Sequence, residues 1–229
     1  MVNNSYNLTA LLDFTSLNDV DNEEAISTLC ERAQGLKDGP VAAVCVFPQF
    51  VSLAKKLLIS STINVATVSN FPGGDQLNYL EEIETAIANG ANEIDWVLPY
   101  QTFLSGKDIS GDLKAVREAS KNTLLKVIIE SGAYPNTSLI QTVTQYVIDA
   151  GADFVKTSTG KIAQGASPQA AQAILLTIKN SGTNTGIKLS GGIRKRAQAI
   201  EYLNIICEQM GEEWIDSKHV RFGCSKVPD

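Results

Sequence analysis

GADFVKTSTGK, residues 151 to 161, reads as a buried strand with a cation set in its middle. Ala152, Phe154 and Val155 lead in, Thr157, Ser158, Thr159 and Gly160 lead out, and Lys156 stands between them. A lysine is almost never fully buried unless something pairs it or uses it. The phrase has a counterpart earlier in the chain. NGANEIDWV at 89 to 97 follows the grammar of DAGADFVKTS at 149 to 158: a glycine closing a helix, an alanine, a short polar residue, then a strand. Setting Gly90 on Gly151 sets Asp95 on Lys156.

Outward from these two units, runs rich in β-branched residues recur. They lie at Leu11 to Phe14, Val41 to Phe47, Asn64 to Ser69, Glu93 to Leu98, Leu124 to Ile129, Phe154 to Thr157, Gly186 to Leu189 and Val220 to Gly223. Between them lie stretches of helical period such as NEEAISTLCERAQGL, QLNYLEEIETAIANG and SPQAAQAILLTIKNSG. The last opens with Ser167 and Pro168, an N-cap followed by proline at the first helical position. Gly90, Gly151, Gly182 and Gly211 stand where helices end. Eight such alternations without a linker predict one α/β domain over residues 1–229, a (β/α)8 TIM barrel. A doubly wound sheet is the alternative, but eight parallel strands in so short a chain suit a closed barrel better. Only CSKVPD follows the last strand, so the eighth helix is expected to be missing or truncated. In this barrel side chains from alternate strands share an internal layer. Asp95 on the fourth strand and Lys156 on the sixth should therefore face each other. A purely structural ion pair is the plain reading. It is disfavoured because desolvation can exceed the Coulomb gain of such a pair.

Composition narrows the chemistry. The chain has 229 residues, 44% of them apolar, and a net charge of -6 with both signs interspersed, so a nucleic-acid partner is not expected. No apolar run approaches the length of a membrane span. The opening MVNNSYNLTALLDF lacks the pattern of a signal peptide, and a cytoplasmic protein is expected. Cys30, Cys45, Cys207 and Cys224 are scattered, which reads as reduced cysteine and neither a disulfide framework nor a zinc site. His219 is the only histidine, which argues against histidine-rich metal centres and Ser-His-Asp triads, and it reads as an ordinary residue at a strand start.

The cations remain. A free lysine, with a pKa of about 10.4, is a neutral amine in only about one molecule in two thousand near neutrality. A nucleophilic lysine needs a depressed pKa, which burial and a neighbouring cation supply. Lys188, mid-strand in GIKLSGGIRKR, can be that cation, and Asp95 suits a proton shuttle on the far side of the lysine. Lys126 in LLKVIIE is a further interior candidate, and Asp13 ends the first strand. The turns SGG at 190 to 192 and FGCS at 222 to 225, with Gly223 in the second, fall where this fold often binds phosphate through backbone N–H groups. Arg194 and the Gly160-Lys161 pair can add charge there.

FVKTSTGK, EIDWVLPY, LLKVIIESG, IKLSGGIR and RFGCS, preceded by LLDFTSLN, AAVCVFP and ATVSNFP, resemble in order the motifs of deoxyribose-phosphate aldolases, from Leu11 to Ser225. The resemblance implies a Schiff-base aldolase without metal or cofactor. It would reversibly cleave 2-deoxy-D-ribose 5-phosphate to acetaldehyde and D-glyceraldehyde 3-phosphate. Lys156 matches the Schiff-base lysine, Lys188 the lysine that perturbs it, and Asp95 the aspartate that relays protons through water. Asp13 and Thr15 match positions near the sugar hydroxyls. Gly160, Lys161, Gly191, Gly192 and Ser225 match the phosphate site, with Arg194 close by. The implied partners are the phosphorylated sugar and acetaldehyde, with a homodimer as a candidate assembly. Another lysine-dependent aldolase or transaldolase, or a barrel that only binds a phosphosugar, stays open. Relatives often continue through an eighth helix to a tail ending in tyrosine, whereas this sequence stops at Asp229. It also has Lys226 where a second serine is common and Cys224 where alanine is usual. Weaker discrimination for phosphate and slower methyl-proton exchange are the resulting expectations.

Overall fold

The computed structural model describes residues 6–228. The first five residues of the stretch read for a signal peptide, and Asp229, lie outside the described residues. Eight strands close into a barrel in which every neighbouring pair is parallel, in sequence order, with β8 returning to β1. The strands are β1 (Leu12–Thr15), β2 (Ala43–Val46), β3 (Asn64–Ser69), β4 (Glu93–Val97), β5 (Leu124–Ile128), β6 (Phe154–Lys156), β7 (Gly186–Ser190) and β8 (Val220–Cys224). The helices are α1 (Glu23–Gln34), α2 (Val51–Leu57), α3 (Tyr79–Ala88), α4 (Tyr100–Leu104), α5 (Ser110–Ala119), α6 (Thr137–Asp149), α7 (Pro168–Ser181) and α8 (Arg196–Met210). Both α4 and α5 lie between β4 and β5, and among the described residues no helix follows β8.

Local chemistry accounts for the element ends. Asn22 caps α1 by accepting from Ala25 N at 2.9 Å, with Glu23 and Glu24 in the first turn and Arg32 in the last, matching the helix dipole. Ser167 caps α7 by accepting from Ala170 N at 3.1 Å, Pro168 takes the first helical position, and Gly182 ends the helix with φ 67°.

Strand alternation divides the core in two. One face of the strands, with Phe14, Val44, Val65, Ile94, Trp96, Val127, Val155 and Leu189, packs in the apolar core with helix residues such as Ile26, Ile83, Val143, Ile174 and Leu203. The other face fills the barrel, where residues such as Ala43, Ala66, Val68 and Phe154 are joined by a set of charged ones. Asp13, Glu93, Asp95, Lys126, Lys156, Lys188 and Arg221 are all buried.

Candidate active site

Seven ionisable side chains meet inside the barrel. Lys156 Nζ lies 2.7 Å from Asp95 Oδ2, as the alignment of the two strand units predicts. The same oxygen is 2.6 Å from Lys188 Nζ, while Asp95 Oδ1 accepts from Lys126 Nζ at 2.8 Å. Asp95 is thus in direct contact with the amine, and not set apart on its far side. A desolvated carboxylate needs counter-charges within reach, and three lysines converge on it. Lys126 also meets Glu93 Oε2 at 2.5 Å and Asp13 Oδ2 at 3.3 Å. Lys188 donates to Asp13 Oδ2, and Arg221 donates to Asp13 Oδ1 at 2.7 Å and to Glu93 Oε1 at 3.2 Å.

The three lysines differ in what surrounds them. Burial pulls Lys126 and Lys188 down, but their carboxylates outweigh it and both end above the ordinary lysine range. Lys156 has only Asp95 in contact, and that carboxylate is shared with two other cations. Burial lowers its pKa, Asp95 opposes, Lys188 adds to the lowering, and the net direction is down. Access separates them too. The Lys156 side chain keeps 4% of its surface exposed, against 0% for Lys126 and Lys188. The charges balance accordingly: with Lys156 neutral, Lys126, Lys188 and Arg221 oppose Asp13, Glu93 and Asp95. The arrangement can hold one uncharged amine at the C-terminal end of β6, beside a cation and a carboxylate that can exchange protons with it.

Other expected residues fall in three places. Asp13 is buried with both oxygens engaged by Lys188, Lys126 and Arg221, so it sits within the ion cluster. Thr15, half-buried at the end of β1, donates Oγ1 to Asp13 O at 2.8 Å. Gly223 lies in β8 facing Lys188, where a Cβ would come within 3.4 Å of Lys188 Cε and 3.0 Å of Ser190 Cβ. Its bareness gives the lysine room.

On the loops after β7 and β8, Arg194 and Ser225 line one cavity of about 440 Å³, together with Ile193, Lys226 and Val227. Gly191 and Gly192 precede it with φ 88° and 90°, and a Cβ on Gly192 would meet nothing within 4 Å. Gly160 is exposed with φ 78°. Lys161 does not join that cavity. Its ammonium crosses to the loop after β1, donating to Leu17 O at 2.8 Å, and lies 6.0 Å from the Phe71 ring centroid. His219 precedes β8, 3.0 Å from Asp216 Oδ1 and stacked on Trp214.

Glu93 and Arg221 were not among the sequence candidates, and Lys126 was noted only as an interior residue. Strand period gives the signal: Glu93 is two residues before Asp95, and Arg221 two before Gly223, so each pair shares a face. Glu130, just after β5, carries no such signal.

Fold and site together define a TIM barrel with a buried cluster of ion-paired lysines and carboxylates inside it. The chain belongs to the DeoC/LacD family of aldolases, whose family model matches residues 8–210. Among solved structures it is similar to a Coccidioides immitis protein provisionally assigned as a deoxyribose-phosphate aldolase, at 29% identity and TM-score 0.84, over 95% of this chain and 81% of that one. It is similar also to the aldolase QR15, at 28% identity and TM-score 0.82, over 96% and 91%. A tetrameric deoxyribose phosphate aldolase from Aeropyrum pernix shares the fold at 24% identity and TM-score 0.79, over 95% and 86%. No helix among the described residues is long and apolar enough to cross a membrane.

Proposed function

We propose that the chain is a Schiff-base aldolase, without a metal requirement, that reversibly cleaves 2-deoxy-D-ribose 5-phosphate to acetaldehyde and D-glyceraldehyde 3-phosphate. One observation carries the reading: of the three lysines inside the barrel, only Lys156 meets a single carboxylate, which it shares with both other lysines, and only its side chain keeps any exposed surface, 4%. In the synthetic direction the neutral Nζ attacks the acetaldehyde carbonyl. The carbinolamine takes up a proton and loses water to give an iminium ion, which loses a methyl proton to become a neutral enamine. The enamine carbon attacks the aldehyde of glyceraldehyde 3-phosphate, and water releases the product and the amine. Asp95 and Lys188, both in contact around one oxygen, are the groups placed to take and return protons. Arg194 and Ser225, with the Gly191-Gly192 turn before them, offer the phosphate a basic, hydrogen-bonding cavity.

Borohydride reduction in the presence of acetaldehyde tests the reading. A two-carbon group is expected on the peptide carrying Lys156. A label on Lys126 or Lys188, or no label, would overturn it.

A further inference from the structure

The residue that follows β5 has a geometry that the amine chemistry does not account for. Glu130 is buried and left-handed, with φ 55° and ψ 58°, a conformation side-chain-bearing residues rarely adopt. Both carboxylate oxygens turn to Thr159, three residues past Lys156. Thr159 Oγ1 donates to Oε2 at 2.5 Å and Thr159 N donates to Oε1 at 3.2 Å. Thr159 Oγ1 also accepts from Lys161 N at 3.1 Å, and the Lys161 ammonium reaches Leu17 O across the barrel mouth. A chain of carboxylate, hydroxyl and amide thus runs from β5 into the segment that leaves β6.

The backbone around it is laced as closely. Ile129 N donates to Lys156 O at 3.0 Å, and Ser131 N to Thr157 O at 2.7 Å. A Cβ on Gly132 would stand 2.1 Å from Gln164 O, and one on Gly165 2.4 Å from Gly191 O, so the loops after β5, β6 and β7 touch without side chains between them. Glycine at 130 would meet the backbone demand without strain, and glutamine, with one acceptor oxygen, would carry no charge but keep only one of the two Thr159 contacts. A buried glutamate is the costlier choice on both counts.

We propose that Glu130 is a positioning residue for the Lys156 amine, acting through Thr159 to hold residues 157–161 at the mouth of the barrel. The inference rests on Lys156 being the reacting amine. Burial raises the Glu130 carboxyl, and the hydrogen bonds from Thr159 and, to a lesser extent, the Lys156 ammonium oppose that rise, so the latch and the amine both act on this carboxylate. The other titratable groups acting on Lys156 are Asp95 from β4, Lys188 from β7 and Cys45 from β2, while Tyr134 and Tyr100 complete the group on the Glu130 side.

The test uses Glu130→Gln, Glu130→Gly, Thr159→Val and Thr159→Ser in the full chain. Retro-aldol kinetics on 2-deoxyribose 5-phosphate are read beside hydrogen exchange at the Thr159 amide. Glu130→Gln is expected to lose at least about tenfold in kcat with KM within about threefold, as displacement of a reacting group would. The acid limb of its kcat/KM profile should move to lower pH, because a carboxylate that favoured the ammonium of Lys156 is gone. Thr159 exchange should rise at least about tenfold with loss of the latch. Glu130→Gly should fail likewise, Thr159→Val should reproduce the loss, and Thr159→Ser should keep most activity. Wild-type activity in Glu130→Gly would overturn the proposal, as would an unmoved pH limb or unchanged Thr159 exchange in Glu130→Gln. Exchange is read without turnover. If it changes as expected but acetaldehyde does not label wild-type Lys156, the function reading has failed and the positioning role falls with it. If the label is present and exchange is unchanged, only the Glu130 proposal has failed.

Discussion

Lys126 and Lys156 lie in the same barrel and touch the same aspartate, yet they should respond oppositely to removal. Lys126 contacts Asp13, Glu93 and Asp95, so Lys126→Met leaves buried carboxylates short of one positive charge. Breaking a buried pair from one side costs about 3–5 kcal/mol. Part of that is offset if Lys156 takes up the missing proton. Lys126→Met should therefore lower the urea midpoint and also move the acid limb of kcat/KM to higher pH, because the amine must then be deprotonated against a net negative cluster. Lys156→Met removes an amine that meets a single, shared carboxylate, and should abolish turnover while costing less stability than Lys126→Met. A Lys156→Met variant as destabilised as Lys126→Met would show that the amine is charged in the resting protein.

At the scale of elements, the loops after β5, β6 and β7 behave as one belt. Ala166 N donates to Ser190 O at 3.0 Å, Ser190 Oγ donates to Ser158 O at 2.5 Å, and Ser190 N donates to Thr157 Oγ1 at 3.0 Å. The β6–α7 loop is thus tied to β7 on one side and to Glu130 on the other. Gly165→Ala puts a methyl against the Gly191 carbonyl, where the obstacle is backbone and cannot swing away. We expect this variant to lose at least about tenfold in kcat, with a stability loss of about 1–3 kcal/mol from overpacking. By contrast Ser167→Ala, which removes only the α7 cap, should cost about 1 kcal/mol and leave kcat within twofold, roughly. Equal kcat in the two variants would separate the belt from catalysis.

For the whole molecule, the buried cluster ties stability to pH. Burial pushes the Asp13 and Asp95 carboxyls up, but Lys126 and its fellow cations outweigh it and hold both below the ordinary aspartate range. A carboxyl with a lowered folded pKa contributes stability that is present above the unfolded value of about 3.9 and lost as pH falls below it. Lys126 and Lys188, raised by their carboxylates, contribute below about pH 10.4 and lose that contribution above it. Lys156 has the opposite sign: between its lowered folded value and the unfolded one, stability rises with pH. Urea midpoints should therefore begin to fall below about pH 5 and fall steeply below about pH 4, and Asp13→Asn should flatten that slope. A flat midpoint across this range in the wild type would mean that the cluster does not keep its charges.

The sequence by itself determined the barrel. Strand and helix periods are local, so all eight strands are found within two residues of where the pattern puts them, and Ser167, Pro168 and Gly182 mark α7 as their side-chain chemistry requires. The repeated strand phrase also pairs Asp95 with Lys156, because equivalent positions on alternate strands face one another inside a barrel. Only the tertiary structure decided which lysine differs from the others. That depends on how many carboxylates each ammonium meets: Asp13 comes to both Lys126 and Lys188, the latter 175 residues away, and Glu93 comes to Lys126. It also turned Lys161 toward Leu17 and away from the cavity of Arg194 and Ser225, and it set Glu130 in a left-handed backbone. Period assigns a side chain to a face. Its neighbours on that face follow from barrel closure and register, and the electrostatics of a buried amine is a sum over those neighbours.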